Sequence, residues 1–350
     1  MNYKSKYNLK LMLAIVCSVS LLASLFSSWQ SFDQFNRIGL KSFLNGIVDG
    51  FLISFTIGFY SLFITEIFFK NYFSKFNFIS LLLINSFAYV TIVLLGRATG
   101  RFLMEPYGFN LFPINTPVNR LHFYQTLAFA FVISFIINFI IQNNKLLGPS
   151  ALKNFILGKY HNPKKEERII MFMDIVSSTS LAEKLGDEKF IQFLDKTFSL
   201  LTEPILKTGA EIYKYVGDEI IFSWKIKDGI KNANCVHLFF LIQNAIESNR
   251  ETFEDQFGTI PKFRAGLHIG SVAVGKIGDI KQEIALIGDV MNTTSRIINE
   301  CKNFNFDLIL SNDLFQLINL SNLYEAKELG KVTLKGKNLP MELIGLKKVK

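Results

Sequence analysis

The stretch Ile169-Ile170-Met171-Phe172-Met173-Asp174-Ile175-Val176-Ser177-Ser178-Thr179-Ser180 decides how the C-terminal half of this chain folds. Its first five residues are all apolar, with neither a helical nor an alternating period, which predicts a strand buried on both faces that stops at the charge of Asp174. The small polar residues after it open a helix. Free backbone N–H groups at such a start suit either side-chain capping or a polyphosphate.

Outward from this strand, strand and helix patterns alternate. A helix is predicted from about Asp187, with Phe190, Phe193, Leu194, Phe198 and Leu201 on one face, ending near Pro204 to Gly209. Glu211–Val216, the turn Gly217-Asp218 and the run from Glu219 to Trp224 predict a hairpin. A helix over about 229–250 then leads to a strand from Phe263 to His268 and a segment studded with Gly270, Gly275 and Gly278. A helix from about Val290 to Lys302 and short strands near 307–310, 331–334 and 341–346 complete the pattern. The β-α-β-β-α-β order predicts an α+β fold, a ferredoxin-like layer with additions.

The N-terminal half is different in kind. The 350 residues are 49% apolar and 19% charged, too apolar for one soluble domain or for disorder. Of 38 Lys+Arg and 29 Asp+Glu, residues 1–142 hold only 10 and 4. Four apolar segments there predict an all-α transmembrane domain with spans near 11–29, 46–68, 76–96 and 122–142. Alternatively, the first is a signal peptide, because Lys4, Lys6 and Lys10 precede an apolar stretch ending in small residues. Either version leaves the C-terminal half cytoplasmic, and the Lys/Arg distribution around the spans leans weakly the same way. Asp49 and Glu66, near the ends of the second span, are either interfacial or ligand-sensing.

The expected organisation is therefore a membrane domain over 1–142, a linker over 143–167 and a catalytic domain over 168–350. The linker contains a short amphipathic helix through Ala151, Leu152, Phe155, Ile156 and Tyr160, packing on its own domain or on a twin, and then a solvated charged run from His161 to Arg168. The net charge of +9 includes no contiguous basic run longer than a pair such as Lys164-Lys165, which excludes a nucleic-acid footprint. Cys17, Cys235 and Cys301 are too scattered for a disulfide framework or a thiolate zinc site.

Two carboxylates carry the chemistry: Asp174 at a strand end and Asp218 in the turn of an adjacent strand. Such a pair either holds two divalent ions that neutralise phosphates or is ordinary turn chemistry. Asn292 and Arg296, spaced i, i+4, share a helical face, where an amide and a guanidinium could position a ribose and stabilise charge on a phosphorus.

Together these segments resemble the class III nucleotidyl cyclases, the adenylate and guanylate cyclase family. The resemblance rests on Phe172-Met173-Asp174-Ile175-Val176-Ser177-Ser178-Thr179, Lys214-Tyr215-Val216-Gly217-Asp218, the stretch from Arg264 to Gly270, that from Ile287 to Arg296, and Val332-Thr333-Leu334-Lys335-Gly336-Lys337. It implies that Asp174, Asp218 and the Ile175 carbonyl hold two Mg²⁺ or Mn²⁺, and that Ser177, Ser178 and Thr179 lie against the triphosphate. It further implies that Asn292 orients the ribose, Arg296 stabilises the α-phosphoryl transition state and Lys335 reaches the triphosphate. The metal-binding pair and the Asn/Arg pair come from different chains in this family, so a homodimer acting on ATP is implied.

Lys214 stands where adenylate cyclases carry Lys and guanylate cyclases Glu, which favours ATP. The companion base-contacting position is Ala285, where the family's usual Asp, Thr or Cys is missing, so half of the base readout departs from the pattern. His268 reads as structural. A guanylate cyclase and a catalytically silent regulatory module stay open as alternatives. A diguanylate cyclase is more distant, since the loosely similar Val216-Gly217-Asp218-Glu219-Ile220 lacks the first Gly and the Phe of that class.

Overall fold

The computed structural model describes residues 3–35, 51, 55, 77–104, 121, 124, 125, 127–129, 131–133, 135–137, 139, 140, 162–280, 282–320 and 323–349. Contacts separate the chain into two compact units, Ser5–Lys153 and Asn154–Lys350.

In the first unit, helices run over Tyr3–Phe35 and Phe78–Met104, and the described residues between 121 and 140 are helical. Among the described residues, Asn8–Phe26 is the one helical stretch long and apolar enough to cross a membrane, while Ile79–Thr91 and Leu127–Ile137 are shorter apolar stretches. The first overlaps the first expected span, and the other two fall within the third and fourth. The second span, apart from Phe51 and Phe55, lies outside the described residues, as do Asp49, Glu66 and the linker helix.

Burial in this unit inverts the soluble pattern. Ser24, Ser28, Asn85 and Ser86 are inside with Met12, Val16 and Tyr89, while Leu13, Leu21, Leu25, Ile79, Phe87 and Leu95 are exposed. The Ser24 and Ser28 hydroxyls donate back to the carbonyls of Leu21 and Ser24, at 2.7 and 2.8 Å.

The second unit begins with β1 (Lys164–Ile175), followed by helices Ser178–Leu185, Asp187–Ser199 and Thr202–Thr208. The hairpin β2 (Glu211–Val216) and β3 (Glu219–Lys225) comes next, then helices Asn234–Glu247 and Arg250–Phe257 and the long β4 (Phe263–Ile277). After β5 (Glu283–Ile287) and the helix Asp289–Phe304 come β6 (Leu308–Ser311), β7 (Tyr324–Val332) and β8 (Met341–Lys348). The sheet order is β2-β3-β1-β4-β6-β8-β7, with β5 paired to β4. The β2-β3-β1-β4 part is antiparallel throughout and has the predicted ferredoxin-like order. β6 joins β4 in parallel, and β8 and β7 extend the sheet beyond it.

Strand parity explains why β1 is apolar on every residue from Ile169 to Met173. Ile169, Met171, Met173 and Ile175 face a core with Phe193, Phe222, Trp224, Phe239 and Phe253, whereas Ile170 and Phe172 face Val272, Val290 and Ile298 on the other side. Both faces are therefore covered by helices, and each fully buried aliphatic or aromatic side chain contributes about 1.5–3 kcal/mol. The helix Asp289–Phe304 lies so close to β4 that a β-carbon on Gly266 would sit 2.5 Å from the Ile298 nitrogen.

Three expectations need correction. The charged run Lys164–Arg168 is not solvated linker: it is the opening of β1, paired with β4 from Lys164↔Val274 onward. Arg168 is buried there because Glu166 and Glu211 accept from its guanidinium at 2.8 and 2.6 Å. The helix expected over 229–250 is broken by left-handed backbone at Asn232 and Ala233 and starts again at Asn234. The strand expected at 331–334 is β7, which starts at Tyr324; its exposed polar residues hide it from a hydrophobic pattern.

Candidate active site

Contacts gather the candidate residues into three groups. The first lies where β1 ends and the β2–β3 turn begins. Gly217 takes a positive φ of 63° in that turn, a conformation natural to glycine, and so delivers Asp218 beside β1. The Asp218 carboxylate accepts from the Ile175 N–H at 3.3 Å, prolonging the β1–β3 ladder beyond its last backbone pair, Met173↔Ile220.

Asp174 is opposite Arg264 in the β1–β4 register, and Arg264 donates to both of its carboxylate oxygens, Nε at 2.7 Å and Nη2 at 2.9 Å. Glu219 completes the group. Its carboxyl is pushed up to about 7, first by burial and then by the negative charges of Asp174 and Asp218, with Arg264 acting against them. Burial and neighbouring negative charge thus coincide at this carboxyl even with a guanidinium present.

The candidate donors are hard oxygens, those of the Asp174 and Asp218 carboxylates. Among the described residues, no group of three or more His, Cys, Asp or Glu side chains is placed to hold a metal ion. Mg²⁺ commonly keeps several waters and is bound through one or two carboxylates together with substrate phosphates. The donor set therefore fits an ion whose shell is shared with a polyphosphate, and does not fit a stand-alone structural metal.

Ser177 turns the chain with a left-handed φ of 60° and makes no side-chain cap, although it precedes the helix Ser178–Leu185. Its hydroxyl is thus not spent on capping. The N–H groups of the first turn, through Ser178 and Thr179, have no partner within the helix by geometry. Ser177 and Thr179 are exposed and Ser178 half-buried.

The second group forms on the helix Asp289–Phe304. Asn292 is exposed and Arg296 half-buried, one turn apart. Arg296 lies against the turn at Gly336, where a β-carbon would be 3.4 Å from its Nη2, and the exposed Lys335 precedes that glycine. Lys337 pairs with Asp289, tying this turn to the first residue of the same helix.

The third group joins β2 to β5. Lys214 Nζ donates to Glu283 Oε2 at 3.0 Å, and the Tyr213 hydroxyl accepts from the Leu286 N–H at 3.1 Å. The carboxylate holds the Lys214 ammonium above its ordinary range. Ala285 is 6% exposed and offers no polar side-chain atom.

Sequence reasoning missed Arg264, Glu219 and Glu283. Arg264 was within a quoted motif, but its role depends on the β1–β4 register. Glu219 directly follows Asp218, and Glu283 lies two residues before Ala285 on an alternating strand, so both were within reach. His268 is buried, its Nδ1 2.8 Å from Ser311 Oγ, in keeping with a structural role.

The model of a family described as "Adenylate and Guanylate cyclase catalytic domain" matches residues 161–347. Over 222 residues the chain is 32% identical to a protein named adenylate cyclase 2 from Rhizobium meliloti, covering 63% of this chain and 61% of that one. An adenylate cyclase of Anabaena cylindrica is 26% identical over 59% of this chain and 40% of its own length. A receptor-type guanylate cyclase of Caenorhabditis elegans is 25% identical over 58% of this chain and 20% of its own length. The chain thus spans about three fifths or less of these relatives. A solved structure of a bacterial light-regulated adenylyl cyclase superposes with a TM-score of 0.52 at 21% identity, over 61% of this chain and 64% of that one, and shows the shared fold.

Proposed function

The chain belongs to the adenylate and guanylate cyclase catalytic-domain family, and from that premise we propose that it is a membrane-anchored adenylate cyclase working as a homodimer. ATP is converted to 3′,5′-cyclic AMP and pyrophosphate: the ribose 3′-oxygen loses its proton and bonds to the α-phosphorus as the bond to the β-phosphate oxygen breaks. The observation that carries the reading is the placement of Asp174 at the end of β1 and of Asp218 in the β2–β3 turn beside it, where the Ile175 N–H donates to the Asp218 carboxylate.

Two Mg²⁺ or Mn²⁺, when bound there, supply Lewis-acid activation of the 3′-hydroxyl and neutralise the triphosphate. Asp174, Asp218 and the Ile175 carbonyl hold them. The N–H groups and hydroxyls of Ser177, Ser178 and Thr179 border the phosphates, and Lys335 adds a positive charge. Asn292 orients the ribose, and the Arg296 guanidinium meets the charge that builds on the α-phosphoryl group.

A site shared by two chains is supported by the partition of the residues: Asp174 and Asp218 belong to one group, Arg296 with the Lys335–Gly336 turn to another. Large apolar side chains are also exposed on the two arms flanking the site, namely Ile212, Tyr215 and Val216 on β2 and Ile277, Ile280 and Ile287 around β5. A surface of this kind suits burial against a second copy.

Lys214 and the names of several curated relatives support ATP. Ala285 leaves part of the base without its usual contact and so does not discriminate against the second reading, a guanylate cyclase. Anchoring is supported by the Asn8–Phe26 stretch and by the inverted burial of the N-terminal unit. Four spans with the catalytic domain on the nucleotide-containing cytoplasmic side complete the proposal. Mass-spectrometric product analysis of the purified full-length chain with Mn²⁺ tests it: cyclic AMP from ATP is expected, and exclusive formation of cyclic GMP from GTP would select the second reading.

A further inference from the structure

We infer that Asp289 and Lys337 are positioning residues: their ion pair fastens the Lys335–Gly336 turn to the head of the helix that carries Asn292 and Arg296, and so aims the Lys335 ammonium at the triphosphate. The inference rests on the role proposed above for Lys335.

Asp289 and Lys337 are 48 residues apart in sequence, and the Lys337 ammonium donates to the Asp289 carboxylate. The turn lies in the connection between β7 and β8, the kind of exposed segment that ordinarily moves more than the strands it joins. Here one end is anchored by Leu334, which is buried among Ile297, Phe306 and Leu343. The Leu334 carbonyl accepts from the Lys337 N–H at 2.9 Å, closing the turn over Gly336, whose φ is 70°. The ion pair places the other end.

The two lysines of the turn divide their work. The Lys337 side chain is only 24% exposed, and its charge is spent on Asp289. Lys335, two residues earlier, is exposed and makes no ion pair among the described residues, so its charge is available to a ligand. Asp289 is the first residue of its helix, where a carboxylate complements the helix dipole. Its Oδ2 also accepts from the Thr293 hydroxyl one turn on, at 3.3 Å, which steadies the carboxylate. Asp289, Asn292 and Arg296 are spaced i, i+3, i+7 and so share one helix face. The fastening point is therefore on the face that carries the residues assigned to the ribose and the α-phosphoryl group, with Arg296 itself against Gly336. Loss of the pair would free the Lys337 end while Leu334 keeps the turn attached.

The test is a double-mutant cycle in the full-length protein, with kcat/KM for ATP measured in wild type, Lys337→Met, Lys335→Ala and the double variant. Lys337→Met removes the charge and keeps the aliphatic stem. It is expected to lower kcat/KM about fivefold alone and less than about twofold where Lys335 is already absent, because a group that acts through Lys335 then has nothing to aim. Lys337→Arg, which keeps the charge, should stay within about twofold of wild type, and Asp289→Asn should repeat the pattern of Lys337→Met from the other partner. Because the Asp289 side chain is 75% exposed, the pair adds little to folding, and the Lys337 variants should melt close to wild type. Equal factors in both backgrounds, or no loss from Lys337→Met, would overturn the inference, since a merely structural part acts with or without Lys335. Displacement of a fluorescent ATP analogue reads the same cycle without turnover. Coupling in that binding cycle, with no cyclic product from wild type, would sink the enzymatic reading and leave the inference standing. No ATP binding by wild type would overturn both.

Discussion

Asp174 and Arg264 face each other across the β1–β4 ladder, and the guanidinium grips both carboxylate oxygens at 2.7 and 2.9 Å. A paired fork of this type fixes the carboxylate plane as well as its place. Asp174 is thus presented in one orientation at the end of a strand buried on both faces. Asp218 is fixed independently, by the Gly217 turn and the Ile175 N–H. Asp174 thus hangs from the sheet and Asp218 from the tight turn between β2 and β3, held to β1 by the Ile175 N–H.

Asp174→Ala and Asp218→Ala are each expected to lower metal-dependent turnover by about a thousandfold or more. Neither residue is part of the apolar core, so circular dichroism should stay close to wild type, while Asp174→Ala, which leaves Arg264 unpaired, should lower the melting temperature more than Asp218→Ala. Pyrophosphate release against Mn²⁺ concentration checks this, and full activity in either variant would contradict the metal assignment.

Lys335→Ala should lower kcat/KM for ATP by about tenfold or more, in line with the loss of about 1.5–3 kcal/mol for a hydrogen bond to a charged group. Initial rates over a range of ATP concentrations measure it. An unchanged kcat/KM would make Lys335 an ordinary surface lysine.

Gly266→Ala tests the seat of the helix that carries Asn292 and Arg296. The added methyl would meet the backbone of Ile298, which cannot yield without moving the helix. A loss of about 1–3 kcal/mol in urea unfolding is expected, as for overpacked sites, together with reduced turnover.

His268 makes stability depend on pH. Burial, foremost, pushes its folded pKa below the ordinary value, so the native state keeps the imidazole neutral where the unfolded chain would already take up a proton. The sign follows: this contribution is complete above about pH 6.5 and is lost as pH falls toward the folded pKa. Denaturant unfolding at pH 7 and pH 5 should show the wild type losing more stability than His268→Gln. Equal losses would remove His268 as the cause, although His237, also shifted downward, retains its own share in both proteins.

What could be read from sequence depended on how local the pattern was. The five apolar residues before Asp174, the Gly217-Asp218 turn and the i, i+4 pair Asn292 and Arg296 are local, and the strand order followed from their succession. The Arg264–Asp174 and Lys214–Glu283 pairs depend on registers between strands 90 and 69 residues apart, which no local period reveals. Lys164–Arg168 misled for the opposite reason. Its charges imitate a linker, yet backbone pairing with β4 and the carboxylates of Glu166 and Glu211 make it a strand.

The most direct measurement mixes two inactive chains. Asp174→Ala lacks a metal carboxylate and Arg296→Ala lacks the guanidinium, and each alone should make almost no cyclic AMP. If one site draws on two chains, random pairing makes half of the dimers mixed, each with one whole site, so activity of about a quarter of wild type is expected. No cyclic nucleotide from a verified heterodimer would contradict the shared site.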